Sequence, residues 1–273
     1  MKNFSVKSCW KTFKWIVASE RSRLLSMSVG IMLGFFFCEE GVMLPTALGN
    51  NTNPGIWYMA MAFCIFIILA WMMYGASQMF AALSKKQSAI TLLMHPATNL
   101  EKFVARWFYC TVFWGLATLA AFVVGDALRY GFNMAMGWKG ADTDMPLFFR
   151  LIGSWGDADW TSLWAKGNQK FVWFALCFAM MSVLHHSIYI LGSIVFRRHR
   201  FIITSVFLVI ASTALTFYGI GPADFMEPDL TQHGTGVYAA LFFVLLAITV
   251  FCYIAAYKLF RRSQVISNKW FNI

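Results

Sequence analysis

Two pairs of adjacent residues in this 273-residue chain could do chemistry: Glu39-Glu40 and His185-His186. Neighbouring carboxylates can serve acid–base work, and imidazoles can hold a metal or a haem. Both pairs are set in apolar sequence, where an ionisable residue is a functional candidate by default. Glu39, Glu40, His185 and His186 are therefore the candidates for a polar substrate path. Spacing narrows the chemistry. Adjacent residues on a helix point about 100° apart, so the two histidines cannot converge on one metal. His95, His199 and His233 all fall in loops. The paired imidazoles are expected to hydrogen-bond inside a helix bundle. The six cysteines (Cys9, Cys38, Cys64, Cys110, Cys177, Cys252) show no C-x-x-C spacing. Most lie in apolar runs, where cysteine acts as a small hydrophobe. Neither a disulfide framework nor a bound metal is expected.

The elements that must position these residues follow from composition. The chain is 59% hydrophobic and 12% charged, against about 25% charged in soluble domains. Charge-free runs cover 41–84, 107–125, 171–196, 201–223 and 230–257, with a shorter one at 24–38. Runs of roughly 18 or more apolar residues are long enough to span a bilayer. The net charge of +10 is distributed in blocks. Basic residues gather at 2–23, 85–106, 197–200 and 258–269, alternating with segments that hold most of the acids. The positive-inside rule then places both termini in the cytoplasm. The basic blocks suit anionic headgroups, so membrane lipid is the expected partner and nucleic acid is not. An even number of spans is required, and six fits. The long basic, aromatic N-terminus does not read as a cleaved signal peptide.

The expected fold is an all-α membrane protein with a single transmembrane domain over 1–273. Residues 4–20 predict an amphipathic helix lying on the inner surface, with Lys7, Lys11 and Lys14 on one side and Val6, Trp10, Phe13 and Val17 on another. The spans are expected at about 24–44, 56–83, 100–125, 170–196, 201–220 and 235–259. The stretch 24–38 makes roughly 22 Å of helix, short of a core about 30 Å thick. The first span should therefore continue to about Leu44 and stop before Pro45. Glu39 and Glu40 then lie in the outer part of the membrane, facing the bundle interior or the headgroups. Residues 127–168, with Trp138, Trp155, Trp160 and Trp164, form a Trp-rich outer segment.

The segment 83–103 carries the strongest local pattern. Ser84-x-x-Gln87 and Thr98-x-x-Glu101 each match a capping box. They predict a helix from about Lys85 to His95, ended by Pro96, and a second helix that is the third span. Ile90, Leu93 and Met94 share one face. The chain leaves the membrane, makes two to three turns, turns sharply and re-enters.

Leu83, Lys86, Leu92, Pro96, Ala97, Thr98, Glu101, Lys102 and Phe103 form a pattern that resembles a loop in bacterial ABC exporter permeases of the six-helix, type 2 class. The layout is similar too: an N-terminal amphipathic helix, six spans and two cytoplasmic ends. His95 departs from that pattern, standing where an apolar residue is expected. The resemblance implies a coupling helix between spans two and three, docked on a separate ATPase subunit through Lys85, Lys86, Ile90, Leu93, Met94, His95, Pro96 and Glu101. It implies a transport subunit in the bacterial inner membrane, paired with a second permease copy or a paralogue. ATP and Mg would belong to the ATPase, and this chain would bind no cofactor. No G-x-x-x-x-G-K-(S/T) phosphate loop occurs here. Glu39-Glu40 also invites comparison with the E-E-x-x-x-R motif of intramembrane proteases, but Leu44 stands at the arginine position. A stand-alone membrane protein for binding, immunity or assembly is the competing expectation.

Overall fold

The computed structural model describes residues 4–49, 54–84, 86–137, 169–196, 198–217 and 235–263. Lys85, most of the Trp-rich stretch and the acidic residues 221–234 lie outside them. Among the described residues the regular elements are helices. They are α1 (Val6–Gly49), α2 (Pro54–Ser77), a 3-10 turn (Ala81–Ser84), α3 (Lys86–Met94), α4 (Asn99–Phe108), a π-helical turn (Tyr109–Phe113), α5 (Trp114–Ala135), α6 (Gln169–Val195), α7 (Arg200–Phe217) and α8 (Thr235–Arg262). Among the described residues, five stretches are long and apolar enough to cross a membrane: Val6–Val42, Met59–Ser77, Asn99–Ala135, Ala175–Val195 and Gly236–Arg262. By length and composition they are those of a multi-pass membrane protein.

Several boundaries differ from expectation. The interfacial helix and first span are one 44-residue helix. Residues 19–24 hold no proline or glycine, so nothing local breaks it. The helix also runs through Pro45, a residue that long apolar helices tolerate. The faces of its first turns are rotated from the expected ones. Lys7, Lys11 and Lys14 are exposed, but so are Val6 and Trp10, while Thr12, Phe13 and Ile16 are buried. The second span ends at Ser77 rather than near residue 83. The helix of the third span runs to Ala135, nine residues into the expected outer segment. It stops where Gly137 takes φ +66°, with Gly137 N–H donating to the Met134 carbonyl at 3.1 Å. This is a left-handed helix end.

The chain divides into two compact units. The first comprises Met1–Thr12, Met73–Trp107 and Trp160–Ile273. In it α6 packs on α8 and on α7. Gly192 of α6 lies so close to α7 that a Cβ would run into the Thr204 side chain. The Tyr189 and Ser205 hydroxyls meet at 2.7 Å across the same pair of helices. Phe80, Phe103 and Phe260 form an aromatic cluster, with the Phe80 and Phe260 ring centroids 5.2 Å apart.

The second unit comprises Phe13–Met72 and Phe108–Asp159. Its core joins Ile31 and Phe35 of α1, Cys64 of α2, and Ala121 and Phe122 of α5. The Phe35 and Phe122 rings meet edge to face at 5.2 Å. A Cβ added to Gly125 would lie 2.9 Å from the Met32 carbonyl oxygen. That glycine is what lets α5 approach the α1 backbone so closely.

Candidate functional site

Two clusters of buried charge stand out, one in each unit. The first is built on α4. Its first turns carry Glu101, Lys102 and Arg106, each 4% exposed or less. Each charge closes the open end of another segment. Glu101 Oε1 accepts from Ser5 N–H at 2.8 Å. Its Oε2 accepts from the Ser8 hydroxyl at 3.0 Å and from Thr98 N–H at 2.9 Å. Glu101 N–H donates back to Thr98 Oγ1 at 3.3 Å. The Thr98–Glu101 capping box is therefore formed reciprocally, as its spacing predicts. The same carboxylate also takes up the Ser5 N–H at the start of α1, where a helix N-terminus leaves donors open. Lys102 Nζ donates to the Leu93 carbonyl at 2.8 Å, a cation at the C-terminus of α3. Arg106 Nη1 donates to the Met79 carbonyl at 2.9 Å.

The segment held by this cluster is the short helix expected after span two, which runs from Lys86 to Met94. Its upstream capping box is not made. The Ser84 hydroxyl donates instead to the Ala81 carbonyl at 2.7 Å, inside the 3-10 turn. The exposure of α3 is two-sided. Ala89 and Leu92 are buried, whereas Ile90 is 42% and Met94 79% exposed. Leu93 is half-buried, and Lys86 and Pro96 are exposed. His95 is half-buried, with Nε2 3.3 Å from Thr12 Oγ1 of α1. Its pKa is lowered by burial and by the nearby Lys102 charge. The departure of His95 from the exporter pattern thus has a local use, since a polar residue there finds a hydroxyl partner.

The second cluster lies where α1, α2 and α5 meet. Glu39 is fully buried rather than facing headgroups. It follows Phe35 by one turn, and Arg129 follows Gly125 by one turn, so the close approach at Gly125 sets the two side chains face to face. Arg129 Nε donates to Glu39 Oε2 at 3.1 Å, and its Nη2 donates to Asp126 Oδ1 at 3.0 Å. The Cys64 thiol donates to Glu39 Oε1 at 3.4 Å. Glu40 is 9% exposed and is hydrogen-bonded by the side chain of Asn133, itself 1% exposed.

Asp126, Arg129 and Asn133 were not apparent as site residues from sequence. A signal existed: Arg129 belongs to none of the four basic blocks, and Asp126-x-x-Arg129 is a helical ion-pair spacing directly after the charge-free run 107–125. The histidines do not join either cluster through the contacts seen. His186 is 7% exposed, with Nδ1 3.1 Å from the Tyr253 hydroxyl. His185 Nδ1 lies 2.7 Å from its own helix's Met181 carbonyl. No group of three or more potential metal ligands occurs among the described residues. No protein-family model, curated protein or solved structure matches the chain.

Proposed function

We propose that the chain is the membrane-spanning subunit of an ATP-driven exporter, moved by a separate ATPase subunit that acts through α3. One observation carries this reading: α3 is held from behind while its apolar front is open. Ile90 and Met94 are four residues apart, on one face, and exposed. Leu92 and Ala89 anchor the other side. An exposed apolar pair beside exposed Lys86 suits a cleft on a soluble partner. A force applied there meets a firm mount, because Lys102 holds the end of α3 and Glu101 ties α4 to the first turn of α1. An unbraced loop would dissipate such a force.

In this reading α7 is the fifth of six spans, added to the five long apolar stretches. Its 18 residues make about 27 Å of helix, enough to cross with a slightly thinned bilayer. Both termini and α3 lie on the cytoplasmic side of a bacterial inner membrane. The subunit works with a second copy or a paralogue, and ATP and Mg reside on the ATPase. The likeness of 83–103 to exporter permeases supplies the identity of the partner, and the mounting of α3 supplies the route of the force.

The test is an affinity purification from native membranes. A co-purifying subunit with a phosphate loop is the expected result. Ile90→Asp combined with Met94→Asp should remove that subunit and leave the size-exclusion profile of the permease unchanged. Undiminished ATPase association in the double variant would sink the coupling role. Activity of the chain purified with no ATPase would favour a stand-alone binding or assembly protein.

A further inference from the structure

We propose that Glu40 and Asn133 form a proton-binding site, in which a neutral carboxylic acid pairs with a primary amide beside the Arg129 ion cluster. The inference stands apart from the exporter reading and does not need an ATPase partner.

The first support is an imbalance of donors. Asn133 hydrogen-bonds the Glu40 carboxyl, yet Glu40 Oε1 and Asn133 Oδ1 are both buried without a hydrogen-bond partner. Both atoms are acceptors when Glu40 is ionised. The amide can then reach Glu40 only through its N–H, and two oxygens remain bare. A buried polar atom without a partner calls for an explanation. One proton supplies it. A protonated Glu40 donates O–H to Asn133 Oδ1 while the Asn133 amide donates N–H to the other Glu40 oxygen. The two orphaned atoms become partners of each other, and the pair closes into a ring of two hydrogen bonds.

The second support is charge. The charged group that acts on Glu40 is Arg129 of α5. Around Arg129 and its partner Glu39 of α1 stand Asp126 from α5, Cys64 from α2 and Cys38 from α1. Of these, only Arg129 is a cation. It attracts Glu40, but its guanidinium already binds both Glu39 and Asp126. Three ionised carboxylates against one guanidinium would leave excess negative charge in a site with almost no water contact, which is strongly unfavourable. A proton on Glu40 removes the charge that lacks a hydrogen-bonded counterion. A metal cation fits less well, since hard cations take six or more oxygens and only two oxygens here lack partners. The proton is thus a ligand of the closed unit. Its release restores both bare acceptors and the excess charge, so release is linked to any movement that admits water to Glu40.

The test is infrared spectroscopy of the full-length protein in lipid nanodiscs at pH 7, in H2O and in D2O. Solvent-exposed carboxyls are ionised at that pH, so a carboxylic-acid carbonyl band reports buried acid. The expected result is such a band in the wild type, shifted in D2O, lost in Glu40→Gln and kept in Glu39→Gln. A wild-type spectrum with no acid band at pH 7 overturns the proposal without recourse to any variant. A band lost in Glu39→Gln and kept in Glu40→Gln overturns it as well. So does a band abolished by sodium chloride but not by choline chloride, since the ligand would then be a metal cation. If Glu40→Gln does not fold, Asn133→Leu decides. The acid band should persist and move to higher frequency as its carbonyl loses the amide donor, and an unmoved band refutes the pairing.

Discussion

Glu101 and Glu39 are both buried glutamates at the meeting of distant helices, and they are neutralised in opposite ways. Glu101 is surrounded by neutral donors: two backbone N–H groups and a hydroxyl. Its bonds sit at the N-termini of α1 and α4, where unsatisfied N–H groups concentrate and the helix dipole favours an anion. Glu39 faces a formal charge, Arg129, which it shares with Asp126. The Glu101 site is closed, with each carboxylate oxygen holding at least one donor. The Glu39 site is short of positive charge, and its neighbour Glu40 carries an oxygen with no partner. A buried carboxylate satisfied by helix ends is a fastener. One that shares a single cation among several acids has room for a further positive ligand.

The comparison can be broken most directly at Arg129. Arg129→Met leaves Glu39 and Asp126 buried without their cation and should cost about 3–5 kcal/mol, read by chemical denaturation in detergent. If Glu39→Gln with Asp126→Asn in the same background restores most of that loss, the cost lies in uncompensated charge rather than in packing. Next in size, Glu101→Ala removes a charged acceptor from Ser5, Ser8 and Thr98 and should cost about 1.5–3 kcal/mol. Hydrogen exchange should then accelerate at the Ser5 and Thr98 amides while those around Arg129 stay protected. Equal acceleration at both places would erase the distinction between the sites.

A smaller effect is expected at Gly125, where a methyl group meets the Met32 backbone carbonyl. Gly125→Ala should destabilise by about 1–3 kcal/mol and loosen the Glu39–Arg129 pair. A variant as stable as the wild type would show that the close helix approach does not set that pair.

The smallest effect belongs to His95. Its folded pKa is lowered, so the fold favours the neutral ring. The unfolded chain, with an ordinary value near 6.5, binds the proton more readily as pH falls. Stability from this group is present above about pH 6.5 and is lost as pH drops through the folded value. A thermal midpoint followed from pH 7.5 to 5 should fall more steeply in the wild type than in His95→Gln. Identical slopes would remove His95 from the account.

Local signals were legible where they depend on neighbours in sequence. The length of α3, its stop at Pro96 and the Thr98–Glu101 cap were readable because a cap, a proline and a 3.6-residue period act within a few residues. The same local reasoning failed at Ser84, whose hydroxyl was taken by the 3-10 turn before it, and at residues 20–24, where a change of amphipathic character was mistaken for a change of element. It also stopped α5 too early, since an acid at 126 looked like the end of a span. In the fold that acid has a buried cationic partner, and the helix continues to Ala135.

By itself, then, the sequence determined that this is a helical protein with several stretches able to cross a membrane, and that a short helix with a hard stop lies between two of them. Composition and period suffice for that, because they set how much apolar surface each turn must hide. Only the tertiary structure decided which charges meet. Glu39 and Arg129 are 90 residues apart, and Ser5 and Glu101 are separated by 96. A lone glutamate has the same local propensity whether it caps another helix, pairs with an arginine or holds a proton. Its role depends on what the packing of other helices brings within hydrogen-bond distance, and here Gly125 is what allows α1 and α5 to come that close.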